Sequence, residues 1–324
     1  MNNFSPTHFS IPTNIVIVDD DEEFLEALLS ALPDNRNHYT VFSDPLKAID
    51  YLINNKEISL LDIKGYLNKY NDEKAVYLDQ EEVFERLSNP DRFSNISMLV
   101  IDYQMKTLNG LELLKKIKNK NLKKVLLTGV ADEVIANKAF NEGLIDNYIK
   151  KQDTDGLKKL IQLIDQYNSS YYNLELPGQD ETPLAEIFYN SCYKKLADEI
   201  LNKEQIVEYY LIDNKGSLLL FDAKGNGSAL LITNESEIKH DIKFMEEEEY
   251  PENIVNELKL YRKMLFCYDF LEYDRKELTK NLYPIYCFDE ENKYYYAFIN
   301  NIKRIDLQNH TFFESYRNKK LCNN

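Results

Sequence analysis

The sequence predicts an α/β chain: a five-stranded parallel, doubly wound sheet first, then a second α+β domain with a mostly antiparallel sheet. Three observations carry this. Short apolar runs alternate with helical patterns up to about residue 170, as parallel strands joined by crossover helices do. Three of those runs end in an acid or a hydroxyl: Ile15-Val16-Ile17-Val18 meets Asp19-Asp20, Met98-Leu99-Val100-Ile101 meets Asp102, and Val125-Leu126-Leu127 meets Thr128-Gly129. Beyond residue 182, glycine-containing turns join apolar runs, the mark of antiparallel hairpins.

In order, strand 15–18 leads to a helix over 22–32, where Phe24, Leu25, Leu28, Leu29 and Leu32 recur at helical spacing and Pro33 ends it. Strand 39–42 leads through Ser43-Asp44, a capping pair, to helix 45–54. Strand 98–101 precedes helix 110–119, and strand 124–127 precedes helix 131–141 with Gly143 as its terminator. Strand 147–149 and helix 154–170 complete five βα units. Residues 55–95 are too long for an ordinary connection. Their apolar spacing (Leu60, Leu61, Ile63, Tyr66, Leu67; then Val83, Phe84, Leu87) predicts two inserted helices on the domain's edge.

Pro177-Gly178 marks the linker, giving a first domain over 1–175 and a second over 180–324. The second reads as helix 183–202, strands 207–212, 217–221 and 229–232, an acidic segment 235–250, helix 251–264, and strand-like runs at 282–288, 294–299 and 312–313.

Charge and cysteine content narrow the function. The net charge is −16, and residues 180–324 hold 19 Lys/Arg against 27 Asp/Glu. Nonspecific nucleic-acid binding needs Lys/Arg to neutralise phosphates, so nucleic acid is disfavoured as a partner. Cys192, Cys267, Cys287 and Cys322 form no CxxC pair, which leaves neither a zinc site nor a redox dithiol. No apolar stretch has a membrane-spanning length of about 18 residues, and the start lacks a secretory pattern. A cytoplasmic protein is the expectation.

Taken singly, the strand-end residues are ambiguous. Asp at a strand end also caps helices, and Thr128 fits a solvated loop. Their joint occurrence at one sheet edge points to a site, because open α/β sheets bind ligands outside their carboxyl strand ends. The ordered set IVIVDD (15–20), LVIDYQM…NG (99–110), LLTG (126–129) and Gly143…Lys150-Lys151 resembles the receiver domain of two-component response regulators, over about residues 12–165. The resemblance implies a flavodoxin-like fold and a phosphoprotein in a phosphorelay. Asp102 would be the phosphoacceptor, served by a sensor histidine kinase or phosphotransfer protein. Asp19, Asp20, Asp102 and the backbone carbonyl of Gln104 would hold Mg²⁺. Thr128 would donate to the phosphoryl group, Lys151 would pair with it, and Tyr148 would be the switch aromatic. Lys150 is the competing lysine, and Tyr148 fits an edge-core aromatic equally well.

Two departures stand out. Lys106 replaces a frequent Pro, and Gln152 replaces the Pro that usually follows the lysine. The inserted segment, GLID (143–146) with its Ile-Lys tail and EYYL…GS (208–217) are similar to a group of bacterial regulators that includes the quorum-sensing response regulator of α-hydroxyketone signalling.

The second domain offers less. Residues 251–264 mix Lys259, Arg262 and Lys263 with Glu252 and Glu257, a solvated face rather than a groove reader. His240-Asp241 lacks the further ligands of a metal site. Tyrosines crowd the strands, as sheet packing or as a ligand cavity. The expectation is a switch, not an enzyme: phosphorylation at Asp102 changes homodimerisation or partner binding through a non-DNA-binding output domain. The alternatives are a transcription regulator with an unrecognised DNA-binding fold, or a phosphorylation-gated binder or enzyme of a nucleotide or small ligand.

Overall fold

The computed structural model describes residues 7, 9–33, 37–55, 80–119, 121–129, 133–172, 183–266, 281–302 and 311–321. The chain forms two compact units: Ile11–Leu60 with Asp91–Asn173, and Met1–Ser10 with Leu61–Pro90 and Leu174–Asn324.

The first strand of the chain, β1 (Phe9–Ser10), belongs to the second unit. The first unit holds β2 (Asn14–Val18), α1 (Glu22–Ala31), β3 (His38–Phe42) and α2 (Pro45–Asn54). After α3 (Gln80–Ser88), which counts with the second unit, come β4 (Ile96–Asp102), α4 (Gly110–Lys116), β5 (Lys123–Thr128), α5 (Glu133–Asn141), β6 (Asn147–Lys150) and α6 (Gly156–Tyr171). The sheet order is β3-β2-β4-β5-β6, parallel throughout.

Both faces of this sheet are covered. Val16, Val18, Leu99, Ile101 and Leu126 pack on one side with Ala48, Leu113 and Ala136. Ile15, Ile17, Met98, Val100, Val125 and Leu127 pack on the other with Leu25, Leu28, Leu160 and Ile164. That is why the strands read as unbroken apolar runs rather than alternations. Local signals set the helix starts: the side chains of Asp21, Asp44 and Asn109 each accept from a backbone N–H of the first turn.

The second unit is built on a six-stranded sheet. Its helices α7 (Pro183–Tyr189) and α8 (Ser191–Lys203) are followed by β7 (Ile206–Leu211), β8 (Leu218–Asp222), β9 (Gly227–Asn234), α9 (Glu235–Glu247), α10 (Glu252–Lys259), β10 (Lys263–Leu265), β11 (Leu282–Pro284), β12 (Tyr286–Asp289), β13 (Tyr294–Asn300) and α11 (Phe313–Leu321). The order is β1-β7-β8-β9-β13-β12, antiparallel at every pair, and β10 pairs with β11 separately.

Several expectations change. A single cut near 175–180 does not divide the units, because Phe9 pairs with Tyr210 and Ser10 with Tyr209 in the second sheet. Of the two inserted helices, the second is α3; the first lies outside the described residues, as does the linker at Pro177-Gly178. Helix 183–202 is two helices, broken at Asn190, whose side chain caps α8. The acidic segment 235–250 is largely helix α9, capped by Asn234. Helix 251–264 ends at Lys259, and Lys263–Leu265 is a strand. The run 282–288 splits between two sheets, and Phe313 opens a helix.

An acid pocket at the carboxyl edge of the parallel sheet

Asp19 follows β2 directly, Asp102 ends β4, and Thr128 ends β5. Parallel pairing in common register delivers all three to one edge: Ile101 lies opposite Val18, and Asp102 opposite Leu127. Asp19, Asp20 and Asp102 each offer a carboxylate oxygen, and these oxygens lie within 4.8 Å of one another. Asp19 is fully buried, Asp102 nearly so, and Asp20 half-buried.

Lys151, the residue after β6, enters this cluster. Its Nζ lies 2.7 Å from Asp19 Oδ2 and 2.9 Å from Asp102 Oδ1. Its backbone N–H donates to the Thr128 carbonyl at 2.9 Å, which fixes the direction from which the side chain arrives. Lys150 pairs instead in the ladder, opposite Thr128. Between the two lysines, Lys151 is the one whose ammonium meets the acids.

Burial raises the Asp102 pKa above the ordinary carboxylate value; Lys151 opposes the rise, while the charges of Asp19 and Asp20 add to it. For Lys151, burial works to lower the pKa, but the Asp19 and Asp102 carboxylates outweigh it and hold the ammonium above its usual value. Burial, more than the neighbouring acids, therefore holds Asp102 up against its lysine, and a buried carboxyl displaced in this way is typical of sites rather than of packing.

Loop geometry supports the cluster. Asp20 Oδ2 accepts from the Lys106 backbone N–H at 3.0 Å, with Lys106 Nζ 3.9 Å away. Gly110 donates to the Tyr103 carbonyl, and a Cβ there would stand 2.4 Å from the Asp102 carbonyl oxygen. Only glycine lets the N-terminus of α4 approach the end of β4 this closely. Gln104 lies two residues beyond Asp102 in the same loop, exposed. Thr128 is buried, and its Oγ1 has no hydrogen-bond partner among the described residues. An orphaned buried hydroxyl is costly, and a ligand atom at this edge would relieve it. Tyr148 stands away from the acids in β6, half-buried against the core, its hydroxyl donating to Asn137 Oδ1 at 3.0 Å.

The three carboxylates fit a hard divalent cation, which takes oxygen ligands and few protein carboxylates. One contact was not anticipated from the sequence. Lys151 Nζ lies 4.7 Å from the ring centroid of Phe24, in the first turn of α1. Phe24 has the spacing of a core residue, and only its position five residues after Asp19 hints at more.

Comparison with known proteins agrees with this geometry. Residues 59–162, which contain Asp102, Thr128 and Lys151, match the response regulator receiver domain. This chain carries the receiver domain of a two-component response regulator. The solved structure of the Legionella pneumophila response regulator LqsR is similar over almost the whole length, with 28% identity, a TM-score of 0.73, and coverage of 98% of this chain and 97% of that one. The similarity to LqsR takes in the second unit as well as the receiver. The Helicobacter pylori transcriptional regulatory protein CrdR is 29% identical over 184 residues, covering 55% of this chain and 76% of that protein. The match at residues 59–162 starts beyond β2 and β3 and does not include Asp19 and Asp20, which the register of β2 with β4 places beside Asp102.

Proposed function

We propose that Asp102 accepts a phosphoryl group from a histidine kinase or phosphotransfer protein, and that the aspartyl phosphate changes homodimerisation or partner binding through a second domain that neither binds DNA nor catalyses a reaction. The observation that carries the reading is the ion-paired Asp19–Lys151–Asp102 arrangement at the sheet edge, with a Thr128 hydroxyl that has no partner among the described residues at the end of the adjacent strand.

The chemistry follows from the groups present. A carboxylate oxygen of Asp102 attacks the phosphorus of a phosphohistidine; the P–O bond forms, the P–N bond breaks, and the imidazole leaves with the electron pair and takes up a proton. Asp19, Asp20, Asp102 and the Gln104 carbonyl would hold Mg²⁺, which when bound neutralises the charge of two approaching anions. Lys151 remains beside Asp102 to pair with a phosphoryl oxygen. The Thr128 hydroxyl gains an acceptor there, and the fourth and fifth βα segments with Tyr148 respond to its movement.

A transcriptional role is the second reading, favoured by the name of the CrdR relative. Charge speaks against a DNA contact by α10 and its flank. Lys259 Nζ lies 2.5 Å from Glu246, and Arg262 and Lys263 each lie 3.9 Å from Glu257. Basic groups answered by protein carboxylates are poor phosphate ligands.

Asp102→Ala is expected to abolish labelling by a small phosphodonor with Mg²⁺, while the unaltered chain labels. Undiminished labelling of the variant would overturn the assignment. Co-precipitation and size-exclusion runs with and without beryllofluoride test the output, and a DNA-mobility shift gained with beryllofluoride would favour the second reading.

A further inference from the structure

We propose that Phe24 is a positioning residue for Lys151, holding its ammonium in the acid pocket through the ring face. The inference rests on the receiver chemistry proposed above.

The Lys151 ammonium has three described contacts: Asp19 Oδ2 at 2.7 Å, Asp102 Oδ1 at 2.9 Å, and the Phe24 ring at 4.7 Å from the centroid. A cation within about 6 Å of an aromatic centroid is attracted by the ring's negative face. Of the three, the carboxylates are the two that a divalent cation would share, because Asp19 and Asp102 belong to the same oxygen cluster. The ring face is the contact for which a metal ligated by those oxygens does not compete. It therefore keeps the lysine in place when the carboxylates are drawn elsewhere.

Local sequence builds this contact deliberately from the other side of the pocket. Asp21 caps α1 and accepts from the Phe24 backbone N–H, so the cap that starts the helix also sets the ring in its first turn. Leu25 and Leu28, on the same helix, are buried in the core and fix its rotation. At the lysine's own end the backbone is tied to Thr128, and the side chain is not. Gln152, in a turn, stands where a rigid proline is frequent, and its side chain is exposed. The Lys151 stem itself is unbranched and flexible, and the ring opposes its swing into solvent.

The test uses the full chain carrying isotope-labelled lysine, without metal and then with Mg²⁺. The Lys151 ε-methylene protons, assigned by their loss in Lys151→Arg, are expected to show an upfield ring-current shift. That shift is expected to vanish in Phe24→Leu and persist in Phe24→Tyr. Labelling by a small phosphodonor is expected to slow about three- to tenfold in Phe24→Leu, the size of one cation–π contact, and to recover most of that loss in Phe24→Tyr. A Lys151 signal unmoved by Phe24→Leu would overturn the proposal, as would wild-type labelling by that variant. Failure of the unaltered chain to label would overturn the phosphoacceptor reading instead, and the metal-free ring-current arm would still decide the Phe24 contact. Far-ultraviolet circular dichroism and melting of both Phe24 variants separate a local effect from unfolding.

Discussion

The two sheets treat their buried carboxylates in opposite ways. In the antiparallel unit those among the described residues accept from neutral donors, Glu208 from the Tyr210 hydroxyl and Asp289 from Asn190 and Asn292. Neutral groups pair there too: the Tyr193 hydroxyl donates to the Gly216 carbonyl at 2.8 Å and Ser217 Oγ accepts from the Ile232 N–H at 2.9 Å, although the Asn281 side-chain amide has no partner among the described residues. In the parallel unit Asp19, Asp20 and Asp102 crowd one edge, Lys151 faces two of them, and the Thr128 hydroxyl has no partner among the described residues. Carboxylates answered by neutral donors specify a fold; carboxylates crowded together in excess charge mark a place where something else binds. The contrast locates the chemistry without any appeal to likeness.

The largest expected effect comes from removing the one inner cation. Lys151→Ala leaves the Asp19 and Asp102 carboxylates buried and uncompensated. Breaking such a pair costs about 3–5 kcal/mol. Urea unfolding in EDTA at neutral pH should show a loss of that order, and Mg²⁺ should restore much of it by binding the folded state. A comparable truncation among surface pairs of the second unit, such as Lys195→Ala, should cost under about 1 kcal/mol. Equal losses at the two positions would break the comparison.

Two glycines sharpen it further. Gly110 faces backbone, with the Asp102 carbonyl oxygen 2.4 Å from an added Cβ. Gly225 in the second unit has φ +88° and faces the Phe312 ring, 2.2 Å from an added Cβ. Both Ala substitutions should destabilise by about 1–3 kcal/mol through overpacking, with added backbone strain at Gly225. They should differ in function: Gly110→Ala displaces the end of β4 and should slow phosphodonor labelling about tenfold or more, as a misplaced reacting group does. Gly225→Ala should leave labelling of the folded chain intact, measured well below its melting temperature.

The same contrast explains what could be read from the sequence. Strands buried on both faces announce themselves as apolar runs, so the five βα units and the acids at their ends were legible at Val18-Asp19 and Ile101-Asp102. Elements set by distant partners were not. β1 is two residues long and pairs with Tyr209 and Tyr210, some two hundred positions away, too short to show a period. β10 hid inside a helical pattern because Tyr261, at φ 51°, turns the chain after Lys259 in a conformation no residue type there signals. Helix α9 was masked by its glutamates, although Ile238, Ile242 and Met245 share one face and Asn234 caps it. In the pocket, the choice between Lys150 and Lys151 needed the register Thr128–Lys150, and Phe24 needed the ring-to-ammonium distance.

The finest test concerns two carboxyls, one in each unit, that both titrate above their ordinary value. Burial raises Asp102, Lys151 opposes it, and the charges of Asp19 and Asp20 add to it. Burial also pushes Asp241 from the ordinary value of 3.8 up to about 6, against the charges of Lys215 and His240 and with that of Glu237. A folded-state pKa above the unfolded one means that the protonated form favours folding. For Asp241 that contribution is full below about pH 4 and is lost as the pH rises through about 6. Asp241→Asn should therefore stabilise the chain at pH 7.5, by roughly 1–2 kcal/mol once partial exposure is allowed for, and have little effect near pH 4. Asp102→Asn should also stabilise the metal-free chain at neutral pH, with the gain shrinking as the pH falls. Mg²⁺ should then separate the two. A divalent ion rewards the charged form of Asp102, so in saturating Mg²⁺ the gain from Asp102→Asn should disappear or reverse, while that from Asp241→Asn should not move. Melting curves of both variants, with Mg²⁺ and with EDTA at pH 7.5, measure this directly. A Mg²⁺-dependent shift at Asp241, or none at Asp102, would dissolve the distinction between an acid buried by the fold and an acid placed for a ligand.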